Sequence, residues 1–191
     1  AGAGTQKAII DGIITAAEKG AAVISMSLGG RSSQKRQKAY EEAVAYAAQK
    51  GSIVVAAAGN ANSNAKNFAP VNAPGIIGVA ALDTLAAKAN FSNSVGDIKM
   101  GISAPGVNIY STIPDNKYTS YNGTSMATPY VAGLLGLMKS LDPDLDTSSA
   151  YRILHETGRE FSSQQKTGKM ILPHRAIRFL LETKLSFQEE E

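Results

Sequence analysis

Tyr121-Asn122-Gly123-Thr124-Ser125-Met126-Ala127-Thr128-Pro129 places a hydroxyl residue between small neighbours, directly after a glycine turn. Val131, Leu134, Leu135, Met138 and Leu141 follow at helical spacing, so Ser125 is expected at or near a helix N-terminus. Unpaired N–H groups and the positive end of the helix dipole gather there, which suits an anion forming beside the serine. Ala127, Ala132, Gly133 and Gly136 add little bulk, so this helix can be packed closely. Pro129 falls within the first turns, where its missing N–H costs least. A turn followed by a helix cap is the plainer reading of Gly-Thr-Ser, because serine and threonine favour such positions.

Upstream of this stretch, apolar runs alternate with helical patterns. Ala8, Ile9, Gly12, Ile13, Ala16 and Ala17 mark a first helix that stops at Gly20. Ala22 to Ser27 is a β-prone run closing in Ser27-Leu28-Gly29-Gly30. A second helix is expected from Gln34 to Lys50, with Ala39, Ala43, Val44 and Ala47 inward. Ile53 to Ala58 is apolar on both faces, as a central parallel strand should be, and Ile76 to Leu82 reads as the next strand. Strand, helix, strand, loop, strand is α/β layering. Beyond Leu82, Phe91-Ser92, Ala104-Pro105-Gly106 and Val107 to Thr112 read as short antiparallel pieces leading to the serine. Leu141-Asp142-Pro143 ends the serine helix. Asp146 or Thr147 can cap a helix reaching Thr157, and Pro173 to Lys184 forms a last one.

The composition sets bounds. The chain has 191 residues, 43% of them hydrophobic, enough for one domain with a real core. A formal charge of +3 from scattered Lys and Arg, with acid gathered at Glu189 to Glu191, does not argue for nucleic acid. No apolar run approaches membrane-spanning length, and the start lacks the basic-then-apolar form of a signal peptide. With no cysteine, disulfides and thiolate metal sites are excluded and the compartment stays undetermined. Gly2 and Gly4 hint at a phosphate-cradling loop, but Lys7 replaces the third glycine and no strand precedes. Asn60 follows Ala57-Ala58-Gly59 just past a buried strand, at the sheet edge where ligands bind, or it caps a turn there.

Gly123 to Gly133 resembles the active-serine motif of the subtilisin-like serine proteases, with one departure: Tyr130 where histidine is usual. The resemblance spans Ala1 to about Leu181 and implies a three-layer subtilisin-like α/β fold, a mostly parallel sheet flanked by helices. It also implies a serine endopeptidase working through an acyl-enzyme on Ser125, with the Asn60 amide in the oxyanion hole. Ser27, Leu28, Gly29 and Gly30 would offer their backbone to an extended peptide or protein substrate. Ala57, Ala58 and Gly59 would form the other wall of the pocket, and Phe68 resembles an aromatic near it or anchors a loop in the core. A secreted or extracytoplasmic location is implied by the family alone.

A serine hydroxyl needs a base to take its proton and a group to orient that base. The family's aspartate and histidine motifs precede the serine and are not in this sequence. His155 and His174 are the only histidines, both beyond Ser125, and Asp11, Asp83, Asp97 and Asp115 match no catalytic context. The chain therefore reads as the C-terminal portion, residues 1–191, of a single catalytic domain, incomplete at its N-terminal side. Three strands are expected to remain, the first without its neighbour. Its expected partner is the N-terminal part of the same domain, and alone the chain is expected to be inactive. A non-catalytic peptide-binding or inhibitory module is the alternative. No cofactor is expected. A calcium site known in proteinase K-like members would use carbonyls near Pro74 and Ile76, but Met100-Gly101-Ile102 lacks the aspartate unless Asp97 reaches in.

Overall fold

The computed structural model describes residues 4–160 and 166–188, so Gly2 and the Glu189–Glu191 tail lie outside the described residues. Helix α1 (Gln6–Glu18) starts where Thr5 Oγ1 accepts a hydrogen bond from the Ala8 N–H. Strand β1 (Val23–Met26) and the short β2 (Gly30–Arg31) lead to α2 (Gln34–Gln49), capped by Ser33. Strand β3 (Ile53–Ala57), a 3₁₀ turn at Ala65–Asn67 and β4 (Phe68–Ala69) come next, then β5 (Ile76–Leu82) and β6 (Gly101–Pro105). A hairpin of β7 (Ile109–Ile113) and β8 (Lys117–Tyr121) runs into α3 (Thr124–Leu141). Helix α4 (Thr147–Thr157), strand β9 (Lys169–Met170) and α5 (Pro173–Gln188) complete the order.

The main sheet runs β1-β3-β5-β6-β9, every pair parallel. Alternate residues of its strands feed two cores. Ile53, Val55, Ile77, Val79 and Ile102 pack with Val131, Leu134, Leu135 and Met138 of α3 and with Ile153 and Leu154 of α4. Val54, Ala56, Ile76 and Ala80 face the other way, onto Ile13 and Ala17 of α1 and Tyr40, Ala43 and Val44 of α2. Helix, sheet and helix thus form the three layers that the resemblance implies, and period-two burial on both faces explains the unbroken apolar runs.

Three expectations are corrected. Five strands form the sheet among the described residues, not three. Ala104-Pro105 belongs to β6, which pairs parallel with β5 from Gly78↔Gly101 to Leu82↔Pro105 and is not antiparallel. The segment is short and holds one β-branched residue, so propensity alone misses it, yet Ile102, Ser103 and Ala104 are fully buried. Phe91-Ser92 lies in a turn. On α2, Tyr40 is buried and Ala39 only half-buried, because the helix presents its face one residue further round. The hairpin before the serine is antiparallel as expected, with Asp115 and Asn116 in the left-handed region at its turn.

Candidate active site

In register, Met26 of β1 lies opposite Ala56 of β3, so both strands end at the same edge of the sheet. Ser27 leaves β1 and Ala58-Gly59-Asn60 leaves β3 at that edge, where α3 begins. Ser125 Oγ donates to the Ser27 carbonyl at 3.3 Å, and Ser27 Oγ donates back to the Ser125 carbonyl at 2.7 Å. Strand end and helix start are therefore tied by two bonds.

Asn60 acts as a helix cap from another element. Its Oδ1 accepts from the Thr124 N–H at 2.9 Å and from Thr124 Oγ1 at 2.9 Å, while the Gly59 N–H donates to that hydroxyl at 3.1 Å. Gly123 supplies no side-chain cap. With Oδ1 committed to Thr124, the Asn60 amide has its NH₂ end left to donate. A methyl group built on Gly123 would stand 3.5 Å from Asn60 Nδ2 and 3.6 Å from the Ser125 nitrogen, so both donors border one small volume. A first-turn N–H such as that of Ser125 has no partner within its helix. The cap role of Asn60 thus uses its Oδ1 and leaves its NH₂ end available as a donor.

The loop carrying Asn60 is held from below. Asn93, fully buried, donates through Nδ2 to the Ala58 carbonyl at 2.8 Å and accepts at Oδ1 from Ala61 at 3.1 Å and Ser63 at 2.8 Å. Lys88 Nζ donates to Asn62 Oδ1 at 2.8 Å and to the Ser92 carbonyl at 2.9 Å, and burial lowers its pKa. Sequence reading missed Asn93, Lys88 and the role of Thr124, since a turn asparagine carries no mark of a contact made some thirty residues away.

Of the expected wall residues, Ala57 is buried, Ala58 is fully buried and Gly59 is half-exposed beside Phe68. Ser27 to Gly30 border a cleft of about 830 Å³ together with Ile9 and Tyr40. Phe68 is half-buried against the α1–α2 core with the Arg31 guanidinium over its ring, so it anchors the loop and adjoins Gly59 at once. A second cleft of about 340 Å³ is lined by Ser125 itself with Ile109, Tyr110, Met126, Pro129 and Tyr130.

His155 is exposed on α4 with its ring against Tyr151, and His174 is exposed near the start of α5. Among the described residues, the one hydrogen bond of the Ser125 hydroxyl goes to the Ser27 carbonyl rather than to an imidazole. Near Pro74 and Ile76, Asp97 does reach the cavity lined with Asn72 and Lys66. Its carboxylate accepts from Asn64, and that bond, with Lys166 next in weight, holds its pKa below the ordinary value. Asn72 Oδ1 is buried there without a partner. One carboxylate among lysines and a single amide oxygen is a poor donor set for a divalent cation. Among the described residues no three His, Cys, Asp or Glu side chains cluster.

A serine at a helix N-terminus, on the C-terminal edge of a parallel sheet and beside an asparagine amide, defines an α/β protein with a serine-centred site. The chain belongs to the subtilase family, whose profile matches residues 1–172. It is 41% identical to subtilisin DY of Bacillus licheniformis over 179 residues, covering 90% of this chain and 62% of that protein. It is 47% identical to thermitase of Thermoactinomyces vulgaris over 139 residues, 73% of this chain and 48% of that protein. A protease structure from Pseudoalteromonas arctica superposes with a TM-score of 0.82 at 32% identity, over 93% of this chain and 59% of the other. The chain thus spans about half to three-fifths of the length of these relatives. No helix among the described residues is long and apolar enough to cross a membrane.

Proposed function

We propose that this chain is the nucleophile-and-oxyanion part of a serine endopeptidase. The observation that carries the reading is one juxtaposition: Asn60 Nδ2 and the backbone nitrogen of Ser125 border the same small volume. Ser125 Oγ attacks the scissile carbonyl carbon as a base takes its proton, and the carbonyl oxygen becomes an oxyanion. Two fixed donors meet charge that exists only in the tetrahedral state, which favours the transition state over the bound substrate. As the intermediate collapses, the C–N bond breaks and the amine leaves with the proton. Water then releases the acyl group from Ser125 by the same route in reverse. Ser27 to Gly30 would take the peptide as an added strand, with Gly59 on the far wall.

The base and the acid that orients it would come from an N-terminal part of the same domain. Two features support that partner. Among the described residues β1 pairs only with β3 and stands at the sheet edge. Tyr130, Gly133 and Leu137 leave the outer face of α3 exposed directly below Ser125. An extracytoplasmic location, drawn from the family, completes the reading.

A fluorophosphonate is expected to label Ser125 in the full-length protein, and Ser125→Ala to abolish labelling, while the chain alone reacts no faster than a free serine. Labelling at another residue removes the assignment. A full-length protein that binds peptides yet resists the reagent supports the non-catalytic alternative.

A further inference from the structure

Thr124 and Asn93 are among the polar side chains buried behind the site. Thr124 is adjacent to the nucleophile, whereas Asn93 lies in the loop between β5 and β6, in none of the stretches read as functional. Its side chain and its backbone N–H bond to the segment that bears Asn60, while its carbonyl accepts from Ser92 Oγ at 3.0 Å. The backbone N–H of Asn93 donates to the Gly59 carbonyl at 2.9 Å. Its side chain adds the bonds to Ala58, Ala61 and Ser63. Two of the four bonds fall on the residues just before Asn60 and two on residues just after it. Asn62 and Ser94 add flanking bonds to Phe91 and Ser63, so the two loops are stapled along their length.

The chemistry admits few substitutes for this residue. The position needs one donor and a two-fold acceptor, both within reach of a one-carbon stem, in a site closed to water. An aspartate oxygen would face the Ala58 carbonyl with no proton between them, and glutamine is one carbon too long. The amide orientation is fixed, because the reverse would set an NH₂ against two N–H groups. Gly59 completes the fit, since a Cβ there would stand 2.5 Å from Asn93 Nδ2.

From this enclosure we infer that Asn93 is a positioning residue for the oxyanion hole: it acts through Asn60 by fixing the loop from Ala58 to Ser63. The inference rests on the acyl-transfer reading above. An oxyanion donor is effective only when it is aimed before the charge forms, and a displacement of about 1 Å can cost roughly 10²-fold in rate.

The test is a double-mutant cycle in the full-length protein, with Asn93→Ala, Asn60→Ala and the pair together. Fluorophosphonate titration counts the competent sites, so unfolded molecules do not enter kcat. Asn93→Ala is expected to lower kcat by about 10- to 100-fold with KM changed by less than about threefold. Added to Asn60→Ala, it should lower kcat by less than about threefold, because the group it aims is already gone. Equal losses in both backgrounds, or an unchanged kcat, would overturn the inference. Should Asn93→Ala leave no titratable sites, Asn93→Ser, which keeps a hydroxyl in the buried position, is judged by the same two criteria. If Asn60→Ala leaves kcat intact, the oxyanion reading itself fails. If only the Asn93 variants leave it intact, that reading stands and the positioning role alone is lost.

Discussion

Replacing Gly59 by alanine should strike the fold and the site together, and the structure gives the size of the blow. Gly59 sits at φ +100°, outside the regions where a residue with a Cβ rests comfortably. Holding a non-glycine residue in so sparse a region costs about 1–3 kcal/mol. The new methyl would also stand 2.5 Å from Asn93 Nδ2, closer than real contacts allow. Overpacking of a filled interior costs about 1–3 kcal/mol more. The two costs share one relief, a shift of the loop, so about 2–5 kcal/mol is expected rather than their full sum. Against the total stability of an ordinary domain, about 5–15 kcal/mol, that is a large fraction. Guanidinium unfolding of wild type and Gly59→Ala should show a lower midpoint at an unchanged slope. Gly12→Ala is the control, because Gly12 lies in α1 with nothing within 4 Å of an added Cβ. It should be neutral or stabilising by up to about 1 kcal/mol. A Gly59→Ala loss below about 0.5 kcal/mol, the level of an ordinary surface change, would refute the reasoning.

Other expectations follow from single contacts. Asn60→Ala should lower kcat by about 10²–10³ with little change in KM, a size taken from the loss of this donor in subtilisin itself and not worked from this structure. Lys139, 8% exposed, donates to the Pro143 and Leu145 carbonyls at the end of α3. Lys139→Met should cost about 1–3 kcal/mol in chemical denaturation by leaving those carbonyls without their donor. Asp146 Oδ1 accepts from the Ser149 N–H at 2.7 Å at the start of α4, so Asp146→Ala should cost about 1 kcal/mol by the same measurement. Asp97 is depressed below 3.8 by its bond from Asn64, with a smaller pull from Lys166. A depressed carboxyl stabilises the fold fully above its unfolded pKa and loses that effect as pH falls through the lower folded value. Thermal melts of wild type and Asp97→Asn should therefore differ near neutrality and draw together in acid; a gap that widens in acid would reverse the sign.

The layers of this fold are legible wherever burial is periodic. Ile53 to Ala57 announces a doubly buried strand, and Val131 to Met138 announces the helix beneath the serine. Gly123-Thr124-Ser125 and Asn60 are readable because their spacing and family likeness are local properties of the chain. β6 escapes because its burial comes from neighbours on both sides and not from its own residues. Asn93 and Lys88 escape for a related reason: the side-chain partners of Asn93 lie thirty or more positions away and one of Lys88's lies 26 away, and a polar residue in a loop looks alike whether it is solvated or enclosed. Tyr40 shows the finer limit, a rotation of one residue in the face α2 turns inward.

The mutual bonds between Ser27 and Ser125 differ in what they hold. A peptide oxygen accepts the hydroxyl hydrogen bond of Ser125 without removing the proton, so that bond holds only the side chain. One rotation about its Cα–Cβ bond frees that proton for a stronger acceptor, while the bond from Ser27 Oγ keeps the helix end in place. The two bonds are therefore separable: turning the Ser125 side chain would break one and leave the helix end tied by the other.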